Sequence, residues 1–206
     1  MADSTPSQGV YRVGQQTRRA ILDAAAAAFA ARGIAASKSE IAEDAGVLPS
    51  QVGYYFGTKE ALFVEAACRE VLHLASAVEQ AAVRARSPRA YVRALVAAAL
   101  ESPALPFFAE ATLLVRAHPA QRERVAETFD RLHAEGERAV AANFAARGWN
   151  LRAPAAHQPR AFWAVVLGCS LEGLARGASI GPAAVERSVD LVYELYVDPA
   201  AEPAGA

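Results

Sequence analysis

The chain has 206 residues, is 53% apolar and carries a formal net charge of −1. This length allows one ordinary domain or a small domain joined to a larger one, and the alanine-rich composition, poor in β-branched runs, favours helices over sheets. Since acidic and basic side chains also balance within residues 1–60, a nucleic-acid partner must be argued from pattern and not from bulk charge.

Two helices are predicted at the N-terminal end of the chain. Apolar residues recur at helical spacing over residues 17–32, and Gly33 follows as a stop signal. Ser37 and Glu40 then fit a capping box at the start of a short second helix. Gly46 ends that helix, because glycine readily takes the positive φ of a tight turn.

A third helix is predicted in the stretch PSQVGYYFGTKEALF. Pro49 suits its first position, where the missing N–H costs nothing. Val52 and Phe56 lie four residues apart and are predicted to face inward. Gly57 ends this helix, and Thr58 caps the next, longer one.

Two helices joined by a glycine turn behind a supporting helix have the helix-turn-helix layout, whose second helix enters the DNA major groove. The residues predicted to face outward from that helix are Ser50, Gln51, Gly53, Tyr54 and Tyr55. Tyrosine hydroxyls donate to phosphates, Ser50 and Gln51 can reach base edges, and Gly53 permits a close approach. The alternative is an ordinary helical hairpin with both tyrosines packed against the rest of the protein.

The rest of the chain is predicted to be helical, with proline-rich interruptions. Pro103 and Pro106 are expected to break the pattern, and residues 150–159 to form a loop. The predicted helices span residues 59–86, 87–101, 107–115, 119–147, 160–179 and 182–197. Residues 1–14 and 198–206 are expected to be flexible tails.

The segment from Arg18 to Phe63 closely resembles the DNA-binding domain of the TetR family of transcriptional regulators. The resemblance is carried by TRRAILDAAAAAFAARG, SEIAEDAGV and VGYYFGTKEALF. It implies an all-α fold, with a three-helix helix-turn-helix DNA-binding domain at residues 15–60 and a helical effector-binding and dimerisation body at residues 61–197. It also implies a homodimeric repressor that binds an inverted repeat in double-stranded DNA and is released by a small molecule, here expected to be apolar.

The resemblance also suggests DNA-contacting positions. Those that match the family's positions are Ser37 or Ser39, Ser50, Gln51, Gly53, Tyr54 and Lys59. Tyr55 joins them from the outward face of the third helix. Arg12, Arg18 and Arg19 are expected to reach phosphates or a minor groove, or else to form a solvated basic segment. Because Gly53 and Tyr54 stand where a tyrosine and a histidine are frequent in the family, base preference cannot be transferred from a relative.

LEGLARG, from Leu171, resembles the penultimate helix of the family, which meets the partner subunit. The residues expected at a two-fold four-helix interface are Leu171, Gly173, Leu174, Val189 and Val192. Ordinary core packing is the alternative. The candidates for an apolar ligand pocket are Phe107, Phe108, Leu114, Trp149, Trp163 and Cys169, with Arg116 or Glu110 as the polar group that orients a ligand.

Catalysis has little support in the sequence. The four histidines are outside any metal-binding or nucleophile motif, and no phosphate-binding glycine loop is present. Cys68 and Cys169, far apart in apolar segments, exclude a disulfide framework and a CxxC metal site. No signal peptide or membrane span is read, so we expect a cytoplasmic protein without cofactors. Two alternatives stay open: a DNA-binding protein without an effector, and a redox sensor based on Cys169.

Overall fold

The computed structural model describes residues 8–177 and 179–198, and this part of the chain is built from nine α-helices. They are α1 (Gln8–Arg32), α2 (Lys38–Asp44), α3 (Pro49–Phe56), α4 (Lys59–Ala82), α5 (Pro88–Leu100), α6 (Ala104–Leu114), α7 (Arg122–Arg147), α8 (Gln158–Arg176) and α9 (Pro182–Tyr196). Short 3-10 helices lie at Gly33–Ala35, Pro119–Gln121 and Ala155–His157. The all-α prediction is confirmed.

The first three helices and the start of α4 form a small bundle around Ile21, Phe29, Ile41 and Val52, all of which are buried. The capping box predicted at the start of α2 is present. Its Ser37 hydroxyl accepts from the amide of Glu40, and the Glu40 carboxylate accepts from the amide of Ser37 at 2.8 Å. These bonds satisfy two N–H groups that a helix start leaves without partners.

The first helix begins at Gln8, nine residues before the predicted start. Residues 8–14 are therefore helical, which corrects the prediction that the whole of residues 1–14 is a flexible tail. Extending an existing helix needs no new nucleus, so even a segment with two glycines can continue it. The predictions for residues 1–7 and 199–206 fall outside the described residues.

Two further boundaries differ from the predictions. The fourth helix ends at Ala82 and not near Arg86. Pro106 does not interrupt a helix, because it lies in the first turn of α6, where a proline removes no intrahelical hydrogen bond.

The body surrounds α4, which packs against α5, α6 and α7, while α8 and α9 pack against each other and against α5. Aromatic rings join its parts: Tyr91 and Phe144 pack edge-to-face, with centroids 5.7 Å apart. Phe63 of α4 contacts both Phe29 of α1 and Phe107 of α6, so one cluster connects the DNA-binding end to the body. Among the described residues no single helix is long and apolar enough to cross a membrane, and only α5 and α6 together, bent by 65°, meet that test of length and composition.

Candidate DNA-binding and ligand-binding sites

The third helix is held in place at both ends. Pro49 occupies its first position, and Val52, completely buried, anchors its inner face. At its C-terminal end the ammonium of Lys38 donates to the carbonyl of Gly57 at 2.8 Å. Gly57 itself has φ +67°, a conformation that favours glycine. The orientation of α3 is therefore fixed by α2 and by the turn that follows.

The outer face of α3 is open to solvent around Tyr54. The Tyr54 side chain is 84% exposed, and Ser50 is exposed one turn earlier. A Cβ added to Gly53 would meet nothing within 4 Å. The fold itself therefore does not require glycine at this position, and an open surface beside it leaves room for a close backbone approach from outside.

Two outward predictions for α3 need correction. Tyr55 is half-buried and packs against the core, and its hydroxyl lies 3.4 Å from the position of a Cβ at Gly14 of α1. Its hydroxyl therefore faces the extended first helix and not open solvent. Gln51 is also engaged, because its side-chain oxygen accepts from the Leu48 amide at 3.0 Å. Only its NH2 group stays available to a base edge.

Arg18 makes contacts within the protein. Its guanidinium lies 2.8 Å from the Glu65 carboxylate and 5.1 Å from the centroid of the Phe56 ring. Glu65 is bound as well by Arg124 of α7, at 2.8 Å. The three charged groups thus connect α1, α4 and α7. Arg18 therefore has a structural partner within the chain, and its contact with DNA stays a prediction.

The remaining predicted DNA contacts differ in how free their side chains are. The Ser37 hydroxyl is committed to its cap, and the bond from the Ser37 amide lowers the pKa of Glu40. Ser39, in the first turn of α2, is exposed. Lys59 begins α4, is half-buried and makes no hydrogen bond or ion pair with any described residue. Arg12 and Arg19 are exposed, with Arg19 3.9 Å from Asp23.

The body contains a small cavity of about 30 Å³ between α4, α5, α7, α8 and α9. Of the predicted pocket residues, only Trp163 lines it. The other lining residues are Ala75, Val78, Glu79, Tyr91, Leu95, Leu132, Gly136, Ala139, Val140, Pro159, Phe162 and Tyr196. Burial raises the pKa of Tyr91 to about 12, with a further contribution from the nearby Glu79. The same burial raises the pKa of Glu79.

The other predicted pocket residues lie elsewhere, so the structure does not bring this set together. Phe107 lines an open cleft of about 480 Å³ between α1, α4 and α6, while Phe108 is buried against Phe129. Leu114 is half-buried at the end of α6. Arg116 lies in an open groove between α6 and α7, and Cys169 in one between α8 and α9.

Trp149 and Glu110, the remaining candidates for the ligand pocket, also lie outside the cavity of the body. Trp149 packs against Tyr91 and Phe144, with the Arg147 guanidinium 5.2 Å from its ring centroid. Glu110 is half-buried on α6, 3.6 Å from the position of a Cβ at Gly33, and burial raises its pKa. Neither residue lines the cavity of the body.

Glu79 and Tyr91 are cavity residues that the sequence analysis missed. Glu79 directly follows Val78 and stands four residues after Ala75, both on the buried face of α4. A charged residue at the edge of an apolar helical stripe is the sequence feature that could have predicted Glu79 as a cavity residue.

The predicted dimer residues also divide into two groups. Val189 and Val192 are completely buried in the core of their own protomer, which contradicts their placement at a subunit interface. Leu171 and Leu174 of α8 are instead 38% and 40% exposed, and Gly173 between them is half-buried. The last helix presents two other leucines outward, Leu191 and Leu195, which are 54% and 46% exposed.

A helix-turn-helix unit with an open recognition helix, followed by a helical body, defines a class of DNA-binding proteins. Residues 21–66 match the family model described as bacterial regulatory proteins, tetR family. Residues 88–192 match a second model, described as a bacterial transcriptional repressor C-terminal domain. The chain belongs to the TetR family and is a DNA-binding transcriptional regulator with a C-terminal ligand-binding domain. Regulators of this family are typically non-enzymatic, dimerise and bind small-molecule effectors.

Solved structures show the same architecture. A protein from Rhodococcus sp. RHA1, described as a transcriptional regulator, is 33% identical with a TM-score of 0.76, over 86% of this chain and 94% of its own. A TetR-family protein of Mesorhizobium loti is 21% identical with a TM-score of 0.67, over 90% and 98% of the two chains. The multidrug binding protein EbrR, complexed with imidazole, is 25% identical with a TM-score of 0.59, over 89% and 91%. A search of curated proteins found no match to the chain.

Proposed function

We propose that this regulator is a homodimeric repressor that binds an inverted-repeat operator and leaves it when a small molecule enters the body. The observation that carries the proposal is the outer face of α3, where Tyr54 is 84% exposed beside a glycine with open space around it. A large exposed aromatic side chain with a polar end suits a surface that meets another molecule. Such a repressor acts in the cytoplasm, where bacterial operators lie.

In this proposal the side chains of the DNA-binding surface have two roles. Lys59 and the Tyr54 hydroxyl contact phosphates and position the helix, because such contacts carry no sequence information. Ser50 and the NH2 group of Gln51 face base edges in the major groove. Ser39, exposed at the start of α2, adds a phosphate contact from the second helix.

The dimer is proposed to form through the outward faces of α8 and α9. Four leucines are exposed on these two helices, which pack against each other, and a continuous apolar patch of this kind would mark an interaction site. A two-fold axis through this surface would place two recognition helices on one side of a duplex. The operator should then contain two half-sites about one helical turn apart, or a small multiple of it.

Selection on random DNA tests the first part of the proposal. Gln51→Ala should change which bases are selected, whereas Lys59→Ala and Tyr54→Phe should weaken binding to all sequences alike. Lys59→Ala should also lower the slope of binding against salt by about one unit. Recovery of single, unpaired half-sites, or an unchanged motif with Gln51→Ala, would count against the proposed orientation.

Sedimentation tests the dimer. Leu191→Glu should give monomers at micromolar concentration, because a two-fold axis places the unpaired charge in the interface twice. Leu113→Glu is the matched control, since Leu113 is 60% exposed, close to the 54% of Leu191, but lies on α6. Gly173→Leu should weaken the dimer as well, by forcing apart helices that cross there. A tight dimer with Leu191→Glu would place the interface elsewhere on the body.

A further inference from the structure

We infer that the cavity of the body takes an amphipathic organic cation, whose charged group pairs with Glu79 while its apolar part packs against the surrounding aromatic rings. This inference rests on the proposed effector function and names the chemical class of the effector. It is carried by the composition of the cavity wall and by the missing partner of one carboxylate.

The wall of the cavity is apolar and aromatic except at Glu79. Its aromatic part consists of Tyr91, Phe162, Trp163 and Tyr196, and Glu79 is the one charged residue among those lining it. Aromatic faces attract cations through the quadrupole of the ring, most strongly where water is excluded. A carboxylate and several aromatic rings around one cavity therefore both favour a positively charged ligand.

The Glu79 carboxylate is half-buried and forms no hydrogen bond or ion pair with any residue in the described part of the chain. The positive charge of Arg138 acts on it without offsetting the effect of burial, so the pKa of Glu79 is raised. The nearby Arg138 directs its Nε to the carbonyl of Ala134, at 3.3 Å. Glu135, which also lies near, pairs with Arg131 and adds negative potential. Burying an ionised group without a partner is unfavourable, so a bound cation would recover free energy that the empty cavity lacks.

Other ligand classes fit this wall less well. An anion would bring a second negative charge close to Glu79 and Glu135. A neutral apolar molecule would exclude the remaining water from Glu79 and supply no compensating charge. A neutral donor could hydrogen-bond to the carboxylate, but only a cation would also neutralise its charge.

The cavity is too small for such a ligand as it stands. About 30 Å³ holds about one water molecule, so binding requires the walls to move apart. Near the cavity α7 and α8 approach closely, because a Cβ added to Gly136 would lie 2.8 Å from the Cβ of Pro159. A ligand that separates these helices binds a different arrangement of the body from the ligand-free one, and it therefore shifts the population between the two.

Calorimetry on the 206-residue chain tests the inference with phenyl-bearing probes of different charge. The probes are tetraphenylphosphonium, the tetraphenylborate anion and neutral triphenylphosphine oxide. We expect tetraphenylphosphonium to bind most tightly, and Glu79→Gln to weaken its binding by about tenfold through the loss of one charge–charge attraction. Glu127→Gln removes the same charge from an exposed site on α7 and should leave the affinity unchanged. Glu79→Asp, which keeps the negative charge, should retain part of the affinity for tetraphenylphosphonium.

Three results would overturn the inference: absence of tetraphenylphosphonium binding, equal or tighter binding of the anion or the neutral probe, or an unchanged affinity with Glu79→Gln. Thermal unfolding of each variant shows whether it is folded when measured. Fluorescence anisotropy of a labelled operator measures DNA binding. It distinguishes a failure of the cation inference from a failure of the proposed effector function. Release of the operator by neutral or anionic compounds alone would refute the cation and keep the effector, whereas a protein that no compound of any charge releases would refute the effector itself.

Discussion

The acidic side chains of the DNA-binding end and of the body experience opposite environments. In the former, the pKa values of Glu40 and Glu60 are lowered because their carboxylates accept hydrogen bonds from backbone amides at helix starts. In the body, the pKa values of Glu79 and Glu110 are raised because burial disfavours the charged form. The carboxylates at the starts of α2 and α4 thus stabilise the local fold, whereas burial of those in the body destabilises their charged form.

This difference follows from what each region does. The DNA-binding end has to keep one fixed shape, and its acids cap the helices that carry the recognition surface. The body has to respond to a ligand, and an uncompensated carboxylate leaves free energy that a ligand can recover. The two regions meet through the ion pairs of Glu65 and the rings of Phe29, Phe63 and Phe107.

The largest effect is expected from breaking the connection between the two regions. Glu65→Gln removes the carboxylate that Arg18 and Arg124 share. We expect a loss of about 1–2 kcal/mol of unfolding free energy, less than for a fully buried pair because both arginines keep access to water. Hydrogen exchange should show that α1 opens more readily while the core of α5 and α9 stays protected.

Glu127→Gln is the control for that experiment. Glu127 lies 4.0 Å from the same Arg124 but is mostly exposed, so its loss should change stability little. Equal effects of the two substitutions would show that Glu65 does not connect the regions.

A pair of glycine substitutions sharpens the comparison at a smaller scale. Gly136→Ala places a Cβ against Pro159, and overpacking of about 1–3 kcal/mol should outweigh the gain of about 1 kcal/mol in helix propensity. Gly53→Ala meets no protein atom, so it should stabilise the fold by up to about 1 kcal/mol while it weakens operator binding. Urea unfolding and anisotropy measure both. A stabilised Gly136→Ala protein would mean that α7 and α8 do not meet tightly at Pro159.

The smallest effect is the pH dependence of two variants. The folded pKa of Glu40 is lowered, so its contribution is present above its ordinary value of 4.5 and is lost as the pH falls through the folded pKa. The folded pKa of Glu79 is raised, so its penalty is absent below 4.5 and develops as the pH rises through the folded value. Glu40→Ala should therefore destabilise, and Glu79→Gln stabilise, at about pH 7. Urea unfolding should show that the stability difference between each variant and the unmodified protein becomes smaller in acid. A difference that grows in acid would contradict the direction of the pKa shift assigned to that residue.

Much of the DNA-binding end was predictable because its signals are local. Ser37 and Glu40 lie on one turn, Pro49 fixes its own φ, and Gly46 and Gly57 take the positive φ values that end helices. Such features depend on a few neighbouring residues, so they can be read without knowledge of the fold. What the sequence did not reveal at this end depends on distant contacts: Tyr55 packs on a first helix that is longer than predicted, and Arg18 pairs with Glu65.

In the body, apolar periodicity, the prolines and the glycine after α7 were enough to place the helices along the chain. They did not show which side of a helix faces the rest of the protein. The last helix has apolar residues on two sides, and only its packing on α5 and α8 decided that Val189 and Val192 are buried while Leu191 and Leu195 face outward. The place of Glu79 was decided in the same way, because a cavity wall is assembled from five helices whose spacing no local pattern encodes.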